Sequence, residues 1–297
     1  MEMKKQLLVG LPGAGKTTFL AALWQVVESE EVPGSLVVSE VHGIRDHLNK
    51  IRETWVKCQP FERTRIPAEK MVSFRLKHPQ SGDIVELALP DLSGETFKLQ
   101  WEKHEWTSDF EKLASESSGV LLFIHPSTIE EPVRIDPTLD CLAATLDNGD
   151  VGAKASDSES SPQKEQSFPS AIVEEWTPEK TPAQVKLVEI LQFLRFRPFA
   201  DRILPVAVVV SAWDLIADGN NATSWLEKRL PLFAQFLQAN REEIPSAVFG
   251  ISAQGGELSK AAQLQHHINA SNRIIVSAPD RSTTHDITAP IKWLLER

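Results

Sequence analysis

Apolar and polar positions follow one another along the chain in patterns that predict strands and helices in turn. The run at 6–9 predicts a strand, and residues 19–30 repeat apolar side chains at helical spacing. Uninterrupted apolar runs predict buried parallel strands at 120–124 and 204–210, and less cleanly at 247–251. The remaining predicted elements are helices at 41–56, 185–196 and 224–239, and strands at 71–78 and 83–89 joined by a turn at 79–82. This order predicts an α/β fold with a mainly parallel sheet flanked by helices.

One long segment breaks this order. From about 130 to 182 the sequence is rich in Ser, Asp, Glu and Pro, and residues 127–183 hold twelve acidic side chains against four basic ones. The whole chain carries 31 Lys and Arg against 41 Asp and Glu, a net charge of -10, so the remainder is close to neutral. Because such a segment has little apolar surface to offset the entropy of ordering, we expect a long flexible acidic insertion. We therefore expect a single domain over 1–297, with this insertion and a C-terminal extension at about 255–297.

Composition and charge exclude several classes of protein. Hydrophobic residues make up 41% of the 297 positions and charged residues 24%, as in a globular protein with a core. The acidic balance disfavours nucleic-acid binding. Cys58 and Cys141 lie 83 positions apart and have no Cys or His partners at ligand spacing, which disfavours a disulfide scaffold or a zinc site. We find no signal-peptide pattern and no apolar run long enough to span a bilayer, so we expect a cytoplasmic protein.

A glycine-rich loop lies between the first predicted strand and the first predicted helix. It reads Gly10-Leu-Pro-Gly-Ala-Gly-Lys-Thr-Thr18 and matches the P-loop pattern in the context that this pattern requires. Its glycines let consecutive backbone N–H groups point at phosphate oxygens, an anion site that the helix N-terminus strengthens. The lysine can bridge the β- and γ-phosphates, and the hydroxyl that follows it can ligate Mg²⁺. The predicted nucleotide-binding residues of this loop are Gly13, Ala14, Gly15, Lys16, Thr17 and Thr18, of which Lys16 is also catalytic and Thr17 a metal ligand.

A second acidic motif, Asp91-Leu-Ser-Gly94, follows the predicted strand at 83–89. Its spacing lets Asp91 hold Mg²⁺ through water while the N–H of Gly94 reaches the γ-phosphate. A Walker-type ATPase would show four apolar residues and then an acidic pair, whereas Pro90 here precedes a single Asp. A turn at a strand end would give the same four residues, but their place after a P-loop favours the functional interpretation.

Two later strand ends carry residues suited to a guanine base. The strand at 204–210 continues into Ser211-Ala-Trp-Asp214, and the carboxylate of Asp214 can accept hydrogen bonds from guanine N1 and N2. The strand at 247–251 continues into Ser252 and Ala253, where a backbone N–H suits guanine O6. Each motif is weak alone, but their order matches a base pocket at the carboxyl edge of a parallel sheet.

These motifs together resemble those of the Ras-like, TRAFAC-class P-loop GTPases, and they lie in the expected order between Gly10 and Gln254. More narrowly, the stretches 10–24 and 284–295 look like the bacterial double-GTPase family. The resemblance implies GTP and GDP as substrate and product and Mg²⁺ as cofactor. It also implies a partner protein, such as a second GTPase or an effector, in a bacterial defence or signalling system.

The resemblance assigns further residues to the phosphate end of the site. Thr64 fits the first switch and is expected to complete the Mg²⁺ coordination. Arg63 could serve as a built-in arginine finger, as could Arg65, although a surface ion pair is the plainer interpretation of either. Glu95 stands where Ras-like proteins place the glutamine that orients the attacking water, so slow intrinsic hydrolysis is expected.

The base motif departs from the family's pattern. Ser211 and Ala212 replace the usual Asn or Thr and Lys, so the base loses the aliphatic stem that would cover it. Trp213 could supply stacking instead, and core packing is the plainer interpretation of its ring. A preference for guanine is therefore expected but weakened, with Asp214 as its direct support.

Three functions stay open on the sequence. The first is a Mg²⁺-dependent switch that binds and hydrolyses GTP. The second is a nucleotide-binding scaffold that has lost catalysis, which Glu95 and the eroded base motif support. The third is a P-loop ATPase or kinase, ranked last because the acidic pair of such enzymes and an arginine-rich lid are missing from the sequence.

Overall fold

A nine-stranded sheet organises the part of the chain that the computed structural model describes, which comprises residues 3–41, 44–61, 72–89, 100–129, 177, 180–195, 202–216 and 221–297. In spatial order the strands are β2-β3-β4-β1-β5-β6-β7-β8-β9. They comprise β1 Lys4–Gly10, β2 Val37–Val41, β3 Val72–Lys77, β4 Ile84–Leu89, β5 Gly119–Ile124, β6 Val206–Ser211, β7 Ser246–Ser252, β8 Ile275–Ser277 and β9 Thr283–Thr284. The central five strands, β4 to β7 in space, pair in parallel, and the outer pairs on both sides are antiparallel.

Helices cover both faces of this sheet. The α-helices among the described residues are α1 Lys16–Ser29, α2 Arg45–Val56, α3 Ser108–Glu116, α4 Ala183–Arg195, α5 Ala222–Arg229, α6 Pro231–Ala239, α7 Ala261–Leu264 and α8 Ala289–Leu295. Single 3₁₀ turns lie at Pro126–Thr128, Trp213–Leu215, Leu258–Lys260 and Ala270–Arg273. None of the described helices combines the length and apolar character needed to cross a bilayer. The predicted α/β fold, with a sheet between two layers of helices, is confirmed.

The pleat of the central strands divides their side chains between two cores. Leu8 of β1 and Leu121 of β5 join the core under α1, α2 and α8, whereas their neighbours Leu7 and Val120 join the core under α3 to α6. Both cores need apolar side chains, so β5 and β6 are buried at every position and show no alternation in sequence. Packing in the two cores holds the carboxyl ends of β1, β5, β6 and β7 next to one another at one edge of the sheet.

The structure differs from the predicted elements at three places. The helix predicted from residue 41 begins at Arg45, because 37–41 form strand β2. The helix predicted over 224–239 is two helices, since Leu230 has φ -132° and ψ 58° and Pro231, which has no N–H, opens the second. Within the predicted C-terminal extension, 275–277 and 283–284 extend the sheet as β8 and β9.

Contacts divide the chain into two units. The first comprises Met1–Glu130 and Thr181–Arg297 and contains nearly all the described residues. The second is Glu131–Lys180. The insertion predicted at 130–182 therefore lies almost entirely outside the described residues, and its predicted flexibility stays a prediction.

Candidate nucleotide-binding site

The glycine-rich loop joins the end of β1 to the start of α1. Gly13 and Gly15 have φ angles of 74° and 88°, a left-handed backbone that favours glycine. Between them the N–H of Ala14 donates to the carbonyl of Leu11 over 3.2 Å. Gly15 precedes the helix as its N-cap and offers no side chain to hydrogen-bond the first turn. Backbone donors at the start of α1 are thus left without a side-chain cap, which suits an anionic ligand.

Lys16 is held inside this loop. Its side chain is almost wholly buried, with 3% of the residue exposed. The ammonium donates to the carbonyl of Gly10 over 2.8 Å and to the carbonyl of Leu11 over 3.2 Å. These bonds hold the positive charge of the ammonium beside the backbone N–H groups of the loop. A positive charge at this place can stabilise the negative charge of bound phosphates.

Gly15 lies against the end of β6. A Cβ placed on Gly15 would be 2.8 Å from Ser211 Oγ and 2.9 Å from Ser211 Cβ, closer than side-chain atoms pack. The Ser211 hydroxyl in turn donates to the carbonyl of Ile124 over 3.2 Å. Glycine is therefore required at 15 both by its backbone angles and by its neighbour. The small Ser211 fixes the distance between the phosphate loop and the strand that leads to Asp214.

A hydrogen bond joins the two loops predicted to read the base. Ser252 Oγ donates to the Asp214 carboxylate and accepts from the N–H of Gly255 over 3.1 Å. Ser252 is fully buried, whereas Asp214 is exposed. The bond therefore anchors one carboxylate oxygen from the protein side and leaves the group facing solvent. Ala253, beside Ser252, is fixed by Trp55, whose indole N–H donates to its carbonyl over 3.0 Å.

Trp213 packs inside the protein. A Cβ placed on Gly250 of β7 would lie 2.4 to 2.8 Å from atoms of the Trp213 ring, so the indole covers that glycine closely. The ring also packs against the core under α3 to α6. Ala212, at the position of the family's lysine, has a left-handed backbone with φ 46°. These contacts agree with a packing role for Trp213. The prediction that its ring stacks on a base stays untested.

A cavity of about 230 Å³ connects these parts. Among the predicted residues, Gly15, Thr18, Asp214 and Ala253 line it. The lining also includes residues that no motif indicated, among them Gln59, His125, Leu215, Glu257 and Leu258. One cavity therefore runs from the phosphate loop to the paired loops of Asp214 and Ser252.

His125 is a titratable residue of the cavity that the motifs did not indicate. It directly follows β5, so its place at the end of an all-apolar strand was the available signal. Its Nδ1 accepts from the N–H of Ser127 over 3.2 Å. Burial lowers the pKa of the His125 imidazole, and the negative charge of Asp214 opposes part of that shift. A neutral imidazole is thus favoured beside the cavity.

The metal and switch residues can be placed only in part. Thr17 follows Lys16 in the first turn of α1. The other predicted residues, Arg63, Thr64, Asp91, Gly94 and Glu95, lie outside the described residues. Within the described part of the chain no three His, Cys, Asp or Glu side chains converge in a way that could hold a metal. The predicted magnesium site therefore rests on Thr17 and on the sequence.

The profile of the Double-GTPase 1 family matches residues 7–294. This chain belongs to that family. The match spans almost the whole sequence and confirms the resemblance to double GTPases, and with it the assignment as a P-loop GTPase. No curated protein matches this double GTPase.

Solved structures similar to this chain match it only at low TM-score and low sequence identity. The bacterial selenocysteine-specific elongation factor EF-Sec matches with a TM-score of 0.35 and 11% identity, over 89% of this chain and 28% of that one. The signal recognition particle receptor SRb-GTP/SRX complex from Chaetomium thermophilum matches with a TM-score of 0.37 and 14% identity, over 85% of this chain and 92% of that one. The double GTPase thus spans little more than a quarter of the EF-Sec chain.

Proposed function

We propose that this double GTPase binds GTP and GDP in the cavity at the carboxyl edge of its sheet and hydrolyses GTP slowly as a molecular switch. One observation carries the proposal. Gly15 of the glycine-rich loop and Asp214, whose carboxylate accepts a hydrogen bond from Ser252, line the same cavity. A nucleotide needs cationic and N–H groups for its phosphates and a polar edge for its base, and the two requirements are met at two parts of one site.

The phosphate end is suited to a triphosphate because it gathers donors and positive charge. The uncapped start of α1 offers backbone N–H groups, and Lys16 adds an ammonium beside them. We assign Gly13, Ala14, Gly15, Thr17 and Thr18 to the same phosphate cradle.

The base end is suited to guanine because Asp214 presents an acceptor. Guanine has N–H groups at N1 and N2 that a carboxylate can bind together, whereas adenine has a lone pair at N1. The bond from Ser252 orients the Asp214 carboxylate, and the backbone of Ala253 lies next to it. We assign Asp214, Ser252 and Ala253 to the base.

We assign Mg²⁺ to Thr17, Thr64 and Asp91. When bound, magnesium supplies positive charge to the phosphate oxygens. Gly94 would donate its N–H to the terminal phosphate, Arg63 would add positive charge, and Glu95 would accept a hydrogen bond from the attacking water. A carboxylate at position 95 brings negative charge towards the phosphate, which is the reason to expect slow hydrolysis.

A partner protein belongs to the proposal through the family resemblance. We propose that the nucleotide state is read by a second GTPase or an effector in a bacterial defence or signalling system. A scaffold that binds nucleotide without hydrolysing it is the second candidate, because Glu95 replaces the usual glutamine.

The direct test is nucleotide binding and phosphate release by the purified chain, with and without Mg²⁺. Lys16→Ala should weaken GTP binding on the order of 10–100-fold, because it removes a charged donor to the phosphates. Lys4→Ala is the matched control, since Lys4 also donates to a backbone carbonyl, that of Leu295 over 2.7 Å, at the opposite end of β1.

Three results distinguish the candidates. GTP binding with Mg²⁺-dependent phosphate release supports the switch. GTP binding without phosphate release, both in the unchanged protein and in Glu95→Gln, supports the scaffold. Unchanged GTP affinity in Lys16→Ala would contradict the assignment of the phosphate site.

A further inference from the structure

Two exposed leucines stand beside the polar groups of the cavity. Leu215 leaves 50% of its surface exposed and Leu258 leaves 38%, and both line the cavity that Asp214 also lines. A single exposed leucine is ordinary on a protein surface. Two that line the same cavity give it an exposed apolar surface close to a carboxylate that a buried serine holds.

The backbone fixes where both leucines stand. Leu215 ends the 3₁₀ turn Trp213–Leu215, and its N–H donates to the carbonyl of Ala212 over 3.0 Å. Leu258 opens the 3₁₀ turn Leu258–Lys260, which the N–H of Lys260 closes on the carbonyl of Glu257 over 2.9 Å. The two turns lie on the two loops that the Ser252–Asp214 bond joins. Hydrogen bonds of the protein backbone therefore fix the positions of both leucines, and no bound ligand is needed to place them.

The nucleobase is the part of a nucleotide that fits such a surface. A purine has polar edges and apolar faces, so an apolar side chain gains most by covering a face while a polar group binds the edge. Trp213, the aromatic residue nearest in sequence to Asp214, has its ring packed on Gly250. Trp213 is not among the residues that line the cavity, so the side chains that do line it are the candidates for the face of the base.

We propose that Leu215 and Leu258 pack on the face of the bound guanine base, so that they set nucleotide affinity while Asp214 sets base choice. This inference rests on the proposed function, because it requires the base to lie in this cavity. It assigns the two leucines to the base alone, with no part in phosphate binding.

The test measures affinity for GTP, GDP and inorganic tripolyphosphate by titration calorimetry and competition. Leu215→Ala and Leu258→Ala should each weaken GTP and GDP binding about three- to tenfold, because each removes most of an apolar side chain from the base. Tripolyphosphate, which has no base, should bind as tightly as to the unchanged protein. Leu215→Met, which keeps an apolar side chain, should retain most of the affinity.

Leu232→Ala is the matched control. Leu232 exposes 56% of its surface on α6 and does not line the cavity, so its loss should leave all three affinities unchanged. The same variant shows whether truncating an exposed leucine alters the protein in general. Melting temperatures of the variants check that each is folded.

The outcomes separate this inference from the proposed function. Unchanged GTP affinity in the double variant Leu215→Ala/Leu258→Ala overturns the inference and leaves the function standing. Equal weakening of tripolyphosphate binding also overturns it, since the leucines would then act on the phosphate site. If the unchanged protein binds GTP and GDP no more tightly than it binds tripolyphosphate, the base contributes nothing to binding and the proposed function itself is contradicted.

Discussion

At the residue scale, two glycines with the same kind of backbone allow a clean comparison. Gly15 has a φ of 88° and Gly34 a φ of 78°, so both resist a side chain for conformational reasons. A Cβ on Gly15 would press on Ser211, whereas a Cβ on Gly34 would meet no atom within 4 Å. A comparison of alanine variants at the two positions therefore separates the effect of the close contact between Gly15 and β6 from the effect of the backbone angles.

Gly15→Ala should therefore unfold more easily than Gly34→Ala, by about 1–3 kcal/mol of the free energy of unfolding. It should also lose GTP affinity, because the loop must move away from β6 to admit the methyl group. Denaturant unfolding and GTP titration of both variants measure these effects. Adding Ser211→Gly to Gly15→Ala should recover part of the stability, and no recovery would show that backbone angles alone limit this position.

The protonation of His125 is expected to make the stability of the protein depend on pH. Burial lowers the pKa of its imidazole in the folded protein below the ordinary value, so the unfolded chain binds a proton more readily. The stability due to the neutral ring is thus fully present above the unfolded pKa of about 6.5 and is lost as pH falls through the folded pKa. Unfolding measured from pH 8 to pH 5 should show this fall, and His125→Gln should reduce it.

His47 provides the comparison for that experiment. Burial also lowers the pKa of His47, which lies on α2 and does not line the cavity. His47→Gln should reduce the dependence of stability on pH while leaving GTP affinity at each pH unaltered. An identical pH profile for His125→Gln and the unchanged protein would contradict the assigned protonation of His125.

The sequence allowed the prediction of residues whose chemistry is carried by a motif. Gly15, Asp214 and Ser252 all lie in motifs that the sequence shows, whereas the hydrogen bond from Ser252 to Asp214 was not predicted. Leu215 could not be recognised, because a lone leucine has no characteristic spacing, and for His125 the sequence offered only its place at the end of an apolar strand. Their place in the cavity depends on which strand ends lie together in space.

At the scale of elements, helix α2 is fastened to the loop that follows β7. Trp55 near its end donates to the carbonyl of Ala253, and the guanidinium of the buried Arg273 covers the Trp55 ring at 3.7 Å. Arg273 also packs against the same loop, since a Cβ on Gly255 would lie 2.2 Å from its carbonyl oxygen. Contacts with α2 therefore support the position of the loop that follows β7.

Trp55→Phe should weaken GTP binding by a few fold and lower the free energy of unfolding by about 1 kcal/mol, because it leaves the buried Ala253 carbonyl without its donor. Trp24→Phe is the control: Trp24 is equally buried, and its N–H donates to Asn49 over 2.9 Å between α1 and α2. The control should lose stability but keep its GTP affinity. Equal affinities for the two variants would show that α2 does not position the loop that follows β7.

Elements buried on both faces were predicted best. The strands β5 and β6 need apolar residues throughout, and their runs are unmistakable in the sequence. The short strands β8 and β9, of three and two residues, are too brief to show a period. Strand β2 lies at the sheet edge with Ser39 and Glu40 among its valines, so its pattern merged with the helix that follows.

At the scale of the whole molecule, the topology brings distant parts of the sequence to one site. Residues 15, 125, 214 and 253 lie on four different loops, yet β1, β5, β6 and β7 are consecutive in the sheet. The order of motifs predicted this arrangement for residues 15, 214 and 253, because parallel strands present their carboxyl ends at one edge. The size of the cavity and its apolar lining required coordinates, since they depend on side-chain packing between loops.

The central claim is that this cavity binds a guanine nucleotide through Asp214, and base preference tests it most directly. Affinities for GTP, ATP and xanthosine triphosphate should be measured for the unchanged protein and for Asp214→Asn. An amide oxygen at 214 can still accept from Ser252, so the loops stay joined, while the amide N–H₂ suits the 2-oxo group of xanthine. The account predicts that the unchanged protein prefers GTP and that Asp214→Asn prefers xanthosine triphosphate by at least about tenfold. The same order of affinities in both proteins, or equal binding of ATP and GTP by the unchanged protein, would contradict it.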